Sequence, residues 1–290
     1  MRMKRFIGSV LYARLFTASA FFSSSTGRGP RCCVRLSTGT SSTALSSPKQ
    51  HIIQNLFFDE VNIYMEQLQR DVLILEATPE SQEQLVDLAL NCSKGAVEED
   101  PYGAVLWPAA KTVSSRLCEL DLSGKTVLEL GTGTGLVSFV ATLRGAERVI
   151  ASDYNPLTLA AIEVAASLQT PLPLDRTVLH TLLFDVKDLS QPLPQADYVV
   201  IADLLYDKEL GNAVALRVLD AIRRKSKVIV GDSPSRMGRP FFLATLKAHG
   251  VDCSFTFLEG STVVGHRNSL ISTSAASSVS LPITMGLLEL

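Results

Sequence analysis

One segment, VLELGTGTGLVSF from Val127 onward, places three glycines at alternate positions directly after a short apolar run. This order of residues predicts a strand, a tight turn and a helix of an α/β fold. A dinucleotide-binding fingerprint, G-x-G-x-x-G, needs its third glycine one place later, where Leu136 stands, so that interpretation is weakened. A phosphate-binding loop is excluded because no Gly-Lys-Ser/Thr follows the glycines.

After residue 126 the sequence alternates short β-branched runs with helix-length amphipathic segments. This alternation predicts a parallel sheet covered by helices on both faces. One helix is expected over residues 136–144, ending at Gly145, and the next begins at Pro156. Parallel strands are expected at residues 126–130, 148–153, 178–183, 198–202 and 227–231. Two further strands, at residues 251–258 and 283–288, are expected to pair antiparallel across a Ser-rich connection.

Residues 51–100 have a different pattern. The segments FFDEVNIYMEQLQ and TPESQEQLVDLAL are interpreted as two helices that flank a short strand at residues 72–75, with Thr78 as the N-cap before Pro79. We therefore expect a transit peptide at residues 1–48, an N-terminal extension at 49–104 and the main domain at 105–290. The extension is expected to pack on the main domain and to contribute to substrate selection.

The first fifty residues contain eight Lys or Arg and no acidic residue, and residues 17–48 are rich in Ser and Thr. This composition is typical of an organellar transit peptide, although the helical amphipathicity of its basic residues is only partial. A disordered tail is the alternative. Because arginines begin at residue 2, we expect a location in the mitochondrial matrix, with the chloroplast as the alternative.

The charge and cysteine content narrow the classes of partner. The chain beyond residue 50 carries 19 basic and 29 acidic side chains, a net charge of −10, whereas a nucleic-acid-binding protein needs a basic surface. Arg14 interrupts the longest apolar segment near the N-terminus, so no membrane span is expected. None of the five cysteines has metal-ligand spacing beside a histidine, so no metal site is expected. We expect a monomer.

Acidic residues follow the glycines at strand ends. Glu129 completes E-x-G-x-G-x-G, Asp153 ends the next strand, and Asp185 follows the third strand in the dipeptide Phe184-Asp185. In this order the residues resemble motif I and the later acidic positions of class I S-adenosylmethionine-dependent methyltransferases. The resemblance implies a Rossmann-like seven-stranded sheet and S-adenosylmethionine as the cofactor. Tight turns with solvated carboxylates are the alternative.

The same resemblance implies a role for each residue. Glu129 is expected to orient the methionine end of the cofactor, Asp153 to accept from the ribose hydroxyls, and Asp185 to meet the adenine. The glycines let the backbone approach the methionyl and ribose parts. The implied cofactor-binding residues are Trp107, Glu129, Gly131, Thr132, Gly133, Gly135, Asp153, Asn155, Asp185 and Ala202. For Trp107, a plug in the core is the alternative.

The fourth expected strand ends in ADLLYD, in which Asp203 and Tyr206 form a D-x-x-Y sequence. It resembles the D-x-x-Y/F box of seven-β-strand protein-lysine methyltransferases and lacks the prolines of the N/D-P-P-Y/F box. The resemblance implies two catalytic residues. Asp203 would hold the incoming ammonium, which must lose a proton because a lysine pKa is about 10.4, and Tyr206 would add a ring face or hydroxyl. A structural role for Asp203 as a helix cap is the alternative.

Two further segments, DPYGAVLWP and GDSPSRMGRP, resemble the electron transfer flavoprotein β-subunit lysine methyltransferase family of mitochondrial enzymes over roughly residues 70–290. Gly103 and Ser233 depart from that family's pattern, which bears on the protein substrate. We expect an S-adenosylmethionine-dependent protein-lysine N-methyltransferase that acts on a mitochondrial protein, the electron transfer flavoprotein β subunit by resemblance. The alternatives are a methylase of a small molecule or of another organellar protein, such as a ribosomal one, and a non-catalytic assembly factor with the same fold.

Overall fold

The computed structural model describes residues 49–91, 102–263 and 280–290. The expected transit peptide and the first two residues of the DPYGAVLWP segment lie outside these ranges. The strands are β1 (Gln50–Ile53), β2 (Leu56–Met65), β3 (Arg70–Ala77), β4 (Thr126–Leu130), β5 (Arg148–Asp153), β6 (Leu179–Leu183), β7 (Tyr198–Ala202), β8 (Lys227–Asp232), β9 (Thr256–Val263) and β10 (Ser280–Glu289). The helices are α1 (Pro79–Asn91), α2 (Pro108–Cys118), α3 (Leu136–Leu143), α4 (Pro156–Ser167), α5 (Lys208–Arg223) and α6 (Arg239–Ala248).

The N-terminal extension is an antiparallel sheet in the order β1-β2-β3, followed by α1. The helix expected over FFDEVNIYMEQLQ is wrong, because this segment forms most of β2 and one 3-10 turn. Burial alternates along β2, with Ile63 and Met65 buried and Tyr64 exposed between them, which is the period of a strand with one covered face. Gln54 and Asn55 join β1 to β2 with φ of 50° and 67°, as a tight two-residue hairpin turn requires.

The expected N-cap of α1 is confirmed. The helix begins at Pro79, and the hydroxyl of Thr78 accepts a hydrogen bond from the Ser81 backbone N–H at 3.3 Å. This bond satisfies one of the amide groups that a helix leaves unpaired at its first turn.

The main sheet has seven strands in the order β6-β5-β4-β7-β8-β10-β9. The first five of these are parallel, and β10 runs antiparallel to both β8 and β9. The expected α/β class, with a Rossmann-like seven-stranded sheet and a small N-terminal extension, is confirmed. The strands expected at residues 126–130, 148–153 and 198–202 have the predicted bounds. β9 begins five residues later than expected, because its ladder to β10 starts at the pair Thr256–Leu287.

The main sheet is covered on both faces. Val127 and Leu128 are neighbours on β4, and their side chains are buried in two different hydrophobic clusters. One cluster joins the sheet to α2, α3, α4 and the three-stranded sheet, and the other joins it to α5 and α6. The extension therefore shares a core with the main domain. Within the described ranges, no helix is long and apolar enough to cross a bilayer.

β4 lies between β5 and β7, so the chain leaves it towards one edge of the sheet and later returns on its other side. In open α/β sheets, ligands bind at the carboxyl ends of the strands at such a switch point. The loops after β4, β5, β6, β7 and β8 all meet at that edge.

Candidate active site

A cavity of about 870 Å³, part of it open to solvent, lies at the carboxyl ends of the parallel strands. The lining residues include Tyr102, Gly103, Trp107, Gly131, Gly133, Asp153, Asp185, Lys187, Ala202, Asp203, Tyr206 and Arg236. Eight of the twelve residues implied by the family resemblance thus meet in one place: Trp107, Gly131, Gly133, Asp153, Asp185, Ala202, Asp203 and Tyr206.

The floor of the cavity is the glycine turn after β4. Gly131 and Gly133 have φ of 69° and 52°, which an L side chain rarely adopts. A Cβ at Gly131 would also lie 2.0 Å from Cδ1 of Leu204. Gly135 contributes differently, because it caps α3 and would bring a Cβ within 3.0 Å of Ile162. The first two glycines therefore shape the cavity, and the third allows α3 and α4 to pack closely.

Glu129 and Thr132 lie beneath this turn and are not among the residues that line the cavity. The Glu129 Oε2 atom accepts hydrogen bonds from the Thr132 hydroxyl at 2.7 Å, from the Ser138 backbone N–H at 3.0 Å and from the Ser138 hydroxyl. Burial raises the pKa of Glu129 to about 7, against the lowering effect of these bonds. In the structure, Glu129 ties the glycine turn to the start of α3.

Asp153 joins the ends of β4 and β5. Its Oδ2 accepts from the Gly133 backbone N–H at 3.1 Å and its Oδ1 from the Asn155 N–H at 3.0 Å, while the residue lines the cavity. Asn155 is buried and outside the lining, where its side chain caps α4 by accepting from the Leu157 N–H at 2.9 Å. Asp185 also lines the cavity, and its Oδ1 accepts from the Lys187 N–H at 2.8 Å.

The roof of the cavity is an aromatic loop ahead of α2. The Trp107 indole N–H donates to the Tyr102 carbonyl at 3.1 Å, and the two rings meet edge to face at 6.3 Å. This loop is held by β3: the Ala77 N–H donates to the Ala104 carbonyl at 3.0 Å, and the carboxylate of Glu76 accepts from the backbone N–H of residue 106 at 2.7 Å. Burial raises the pKa of Glu76. The N-terminal sheet therefore holds in place the loop that forms one wall of the cavity.

Asp203 follows β7 with its side chain almost fully buried, at 1% exposure. Its Oδ2 accepts from the Ala109 backbone N–H at 2.7 Å, in the first turn of α2. Its Oδ1 accepts from the Ser233 backbone N–H at 2.8 Å and from Nε and Nη2 of Arg236 at 3.2 and 3.0 Å. Asp203 also has a φ of 57°, which is uncommon for a non-glycine residue. Both carboxylate oxygens are thus engaged by groups of the protein.

Sequence reasoning missed Arg236. This residue lines the cavity, pairs with Asp203, and places its guanidinium 4.7 Å from the ring centre of Trp107. The sequence feature that could have indicated Arg236 is a basic side chain in GDSPSRMGRP, directly after a strand whose carboxyl end faces the site. Behind it lies a second pair, in which Nε of Arg239 donates to fully buried Asp232 at 2.7 Å. Burial raises the pKa of Asp232 to about 7.

The chemistry of the lining suits S-adenosylmethionine. Carboxylates of Asp153 and Asp185 can accept from hydroxyl and amine groups, and the aromatic roof offers apolar contact. A phosphate-rich ligand would be repelled by the three carboxylates, which outnumber the two cations of the lining. No group of three or more metal-ligating side chains occurs among the described residues.

Comparisons with known proteins agree with this geometry. A family model described as lysine methyltransferase matches residues 89–249. The chain is 30% identical over 148 residues to the human electron transfer flavoprotein beta subunit lysine methyltransferase, covering 49% of this chain and 52% of that protein. It is 35% identical over 121 residues to the bovine protein-lysine methyltransferase METTL21E, covering 37% and 39%. The chain thus spans about half the length, or less, of these curated relatives.

Among solved structures, magnesium protoporphyrin IX methyltransferase from Synechocystis PCC 6803 with bound SAM has a TM-score of 0.42 and 17% identity, covering 69% of this chain and 86% of that one. A score below 0.5 supports no inference about activity.

Proposed function

Since the chain belongs to the lysine methyltransferase family, whose methyl donor is S-adenosylmethionine, we propose that it methylates lysine side chains of another protein. One observation carries this proposal. Tyr206 and Asp203, the two residues of the D-x-x-Y box, line the same cavity as Asp153 and Asp185, the residues suited to the cofactor.

S-adenosylmethionine supplies an electrophilic methyl group on a sulfonium when it is bound. The residues that would hold it are Asp153 and Asp185, the backbone of the glycine turn, and Trp107 in the roof. The task of the remaining lining residues is to admit a lysine amine, exclude water and fix the direction of approach, because positioning provides much of the rate in such transfers.

The hydrogen bonds that Asp203 already accepts from the protein refine its expected role. Its two oxygens already accept four N–H donors, so an incoming ammonium meets a carboxylate that is fixed in place and partly neutralised by Arg236. Such a group orients a lysine amine better than it removes the proton. Tyr206, which lines the same cavity, is the second group that we assign to the amine.

The substrate protein is proposed from the relatives and from charge. The human relative is named for the electron transfer flavoprotein beta subunit, which makes this subunit the first protein to test. The composition of residues 1–48 supports a location in the mitochondrial matrix. A net charge of −10 beyond residue 50 favours a basic, lysine-bearing partner.

The test is methyl transfer by the purified full-length protein. The protein is incubated with S-adenosylmethionine carrying a labelled methyl group and with recombinant electron transfer flavoprotein β subunit, with Tyr206→Ala as the variant. We expect label on lysine residues of the substrate, a much lower rate with the variant, and no label when the lysines are acetylated beforehand. Label that appears only in small molecules of an organellar extract would contradict lysine methylation.

A further inference from the structure

Arg236 is a cation inside the cavity that the proposed transfer does not use. Its guanidinium is fixed on two sides, by Asp203 through Nε and Nη2 and by the face of Trp107 at 4.7 Å. Its side chain is 14% exposed, and Nη1 has no hydrogen-bond partner among the residues that the structure describes. The group is therefore held rigidly in the lining of the cavity, and the N–H groups of Nη1 remain available as donors.

The order of the strands suggests what those donors meet. Along the edge of the sheet, the lining residues run from Asp185 after β6 through Asp153 after β5 and Gly131 after β4 to Arg236 after β8. β6 and β8 are four strand spacings apart, or about 19 Å. Adenine, ribose and methionine follow one another in the same order in an extended S-adenosylmethionine. If Asp185 meets the adenine and Asp153 the ribose, the methionine end would lie on the side of Arg236.

Charge indicates which group at the methionine end of the cofactor would face Arg236. The methionine moiety carries the cofactor's single anionic group, a carboxylate. The cavity has two cationic side chains, Lys187 and Arg236, and Lys187 belongs to the exposed loop that follows Asp185 at the opposite end. A guanidinium presents its N–H groups in a plane that matches a carboxylate. Glu129, which was expected to serve this end of the cofactor, is buried beneath the turn.

We propose that Arg236 binds the methionyl carboxylate of S-adenosylmethionine and that Asp203 is the positioning residue that fixes its guanidinium. This inference deepens the function proposed above and uses the same cofactor, but its test requires binding alone and no protein substrate. The alternative is that the N–H donors of Arg236 face the path of the substrate lysine. The test distinguishes this alternative from carboxylate binding.

The experiment is a binding cycle with the full-length protein, followed by calorimetry and by the fluorescence of Trp107, the single tryptophan of the chain. One ligand is S-adenosylhomocysteine. The other is S-adenosyl-3-thiopropylamine, which keeps the amine and lacks the carboxylate. The wild-type protein is expected to prefer S-adenosylhomocysteine by about 10- to 100-fold, the usual strength of a charged hydrogen bond. Arg236→Gln should abolish most of that preference, and Arg236→Lys should keep part of it.

Arg239→Gln is the matched control. It breaks the neighbouring buried pair with Asp232, outside the cavity lining, and should lower stability without changing the preference. Equal losses for both ligands in Arg236→Gln would overturn the proposal. An unchanged preference in that variant would overturn it too, and would place Arg236 on the path of the substrate lysine. If Arg236→Gln does not fold, the preference of Arg236→Lys decides, since an unchanged value contradicts a planar carboxylate contact. If the wild-type protein binds neither ligand, the cofactor assignment fails as well.

Discussion

Replacing Asp203 by Asn tests whether this carboxylate is part of the architecture. Both oxygens of Asp203 accept from N–H groups: Oδ2 from Ala109, and Oδ1 from Ser233 and Arg236. An amide offers one oxygen and one NH₂ group, so one of these donors would face another donor whichever way the side chain turns. The substitution also leaves the guanidinium of Arg236 without its counter-ion.

The magnitude follows from burial. The Asp203 side chain is 1% exposed and that of Arg236 is 14% exposed, so their pair is a buried one. Removing one partner of such a pair costs about 3–5 kcal/mol of unfolding free energy. Asn adopts a positive φ slightly more readily than Asp, which offsets a few tenths of a kcal/mol at most. At about 2–4 °C per kcal/mol, we expect Tm to fall by about 6–20 °C.

The assay is urea and thermal denaturation of the full-length protein, followed by circular dichroism. Asp185→Asn is the matched control, because Asp185 is only partly buried and its carboxylate accepts a hydrogen bond from the backbone N–H of Lys187. It should cost less than about 1 kcal/mol. A loss below about 1 kcal/mol for Asp203→Asn, combined with a raised KM for the protein substrate, would refute the architectural role and restore a free ammonium-binding carboxylate.

Three further predictions concern buried and crowded positions. Burial raises the pKa of Glu129 to about 7 in the folded state, above its usual value of 4.5, so its stabilising contribution is complete below the usual value and is lost as pH rises through 7. In urea denaturation at pH 5 and pH 8, the wild-type protein should lose stability relative to Glu129→Gln, and a parallel response of the two proteins would contradict this. In Gly238→Ala, the new Cβ would lie 2.3 and 2.7 Å from two backbone carbonyl oxygens, so we expect the unfolding free energy to fall by about 3 kcal/mol and S-adenosylhomocysteine to bind more weakly. Gly250→Ala is the control: its Cβ would meet open space at a φ of 84°, so it should cost about 1 kcal/mol and leave binding unchanged. Glu76→Ala removes the acceptor for the Leu106 N–H and should weaken S-adenosylhomocysteine binding about tenfold in calorimetry, while Glu76→Gln keeps both the acceptor and the affinity. Equal affinities of the two variants would contradict a role for this hydrogen bond in holding the roof of the cavity.

The main sheet could be predicted because its signals are local. Strands buried on both faces appear as short β-branched runs, and helix starts are marked by residues such as Pro156. The bounds that these signals predict for β4, β5 and β7 agree with the structure to the residue. The N-terminal sheet was not predicted, because polar Glu60 and Asn62 within β2 give a pattern that also suits a helix. Only its antiparallel pairing with the neighbouring strands β1 and β3 selects the strand.

The site could be predicted in part for the same reason. Asp153 and Asp185 follow strands directly, so their meeting at one edge of the sheet follows from the fold class. The environment of Asp203 could not be predicted, because its partners Ala109 and Arg236 lie 94 residues before it and 33 residues after it. Contacts of that range depend on how the loops pack and leave no local pattern.

The central claim is lysine methylation of a protein, and quantitative mass spectrometry of mitochondrial proteins tests it most directly. Lysine methylation is compared among cells with the protein, cells without it, and cells without it that express either the wild-type chain or Tyr206→Ala. We predict that methylation of one or a few lysines disappears with the protein, returns with the wild-type chain and does not return with the variant. Unchanged lysine methylation in every sample, while the purified protein still binds S-adenosylmethionine, would contradict the account.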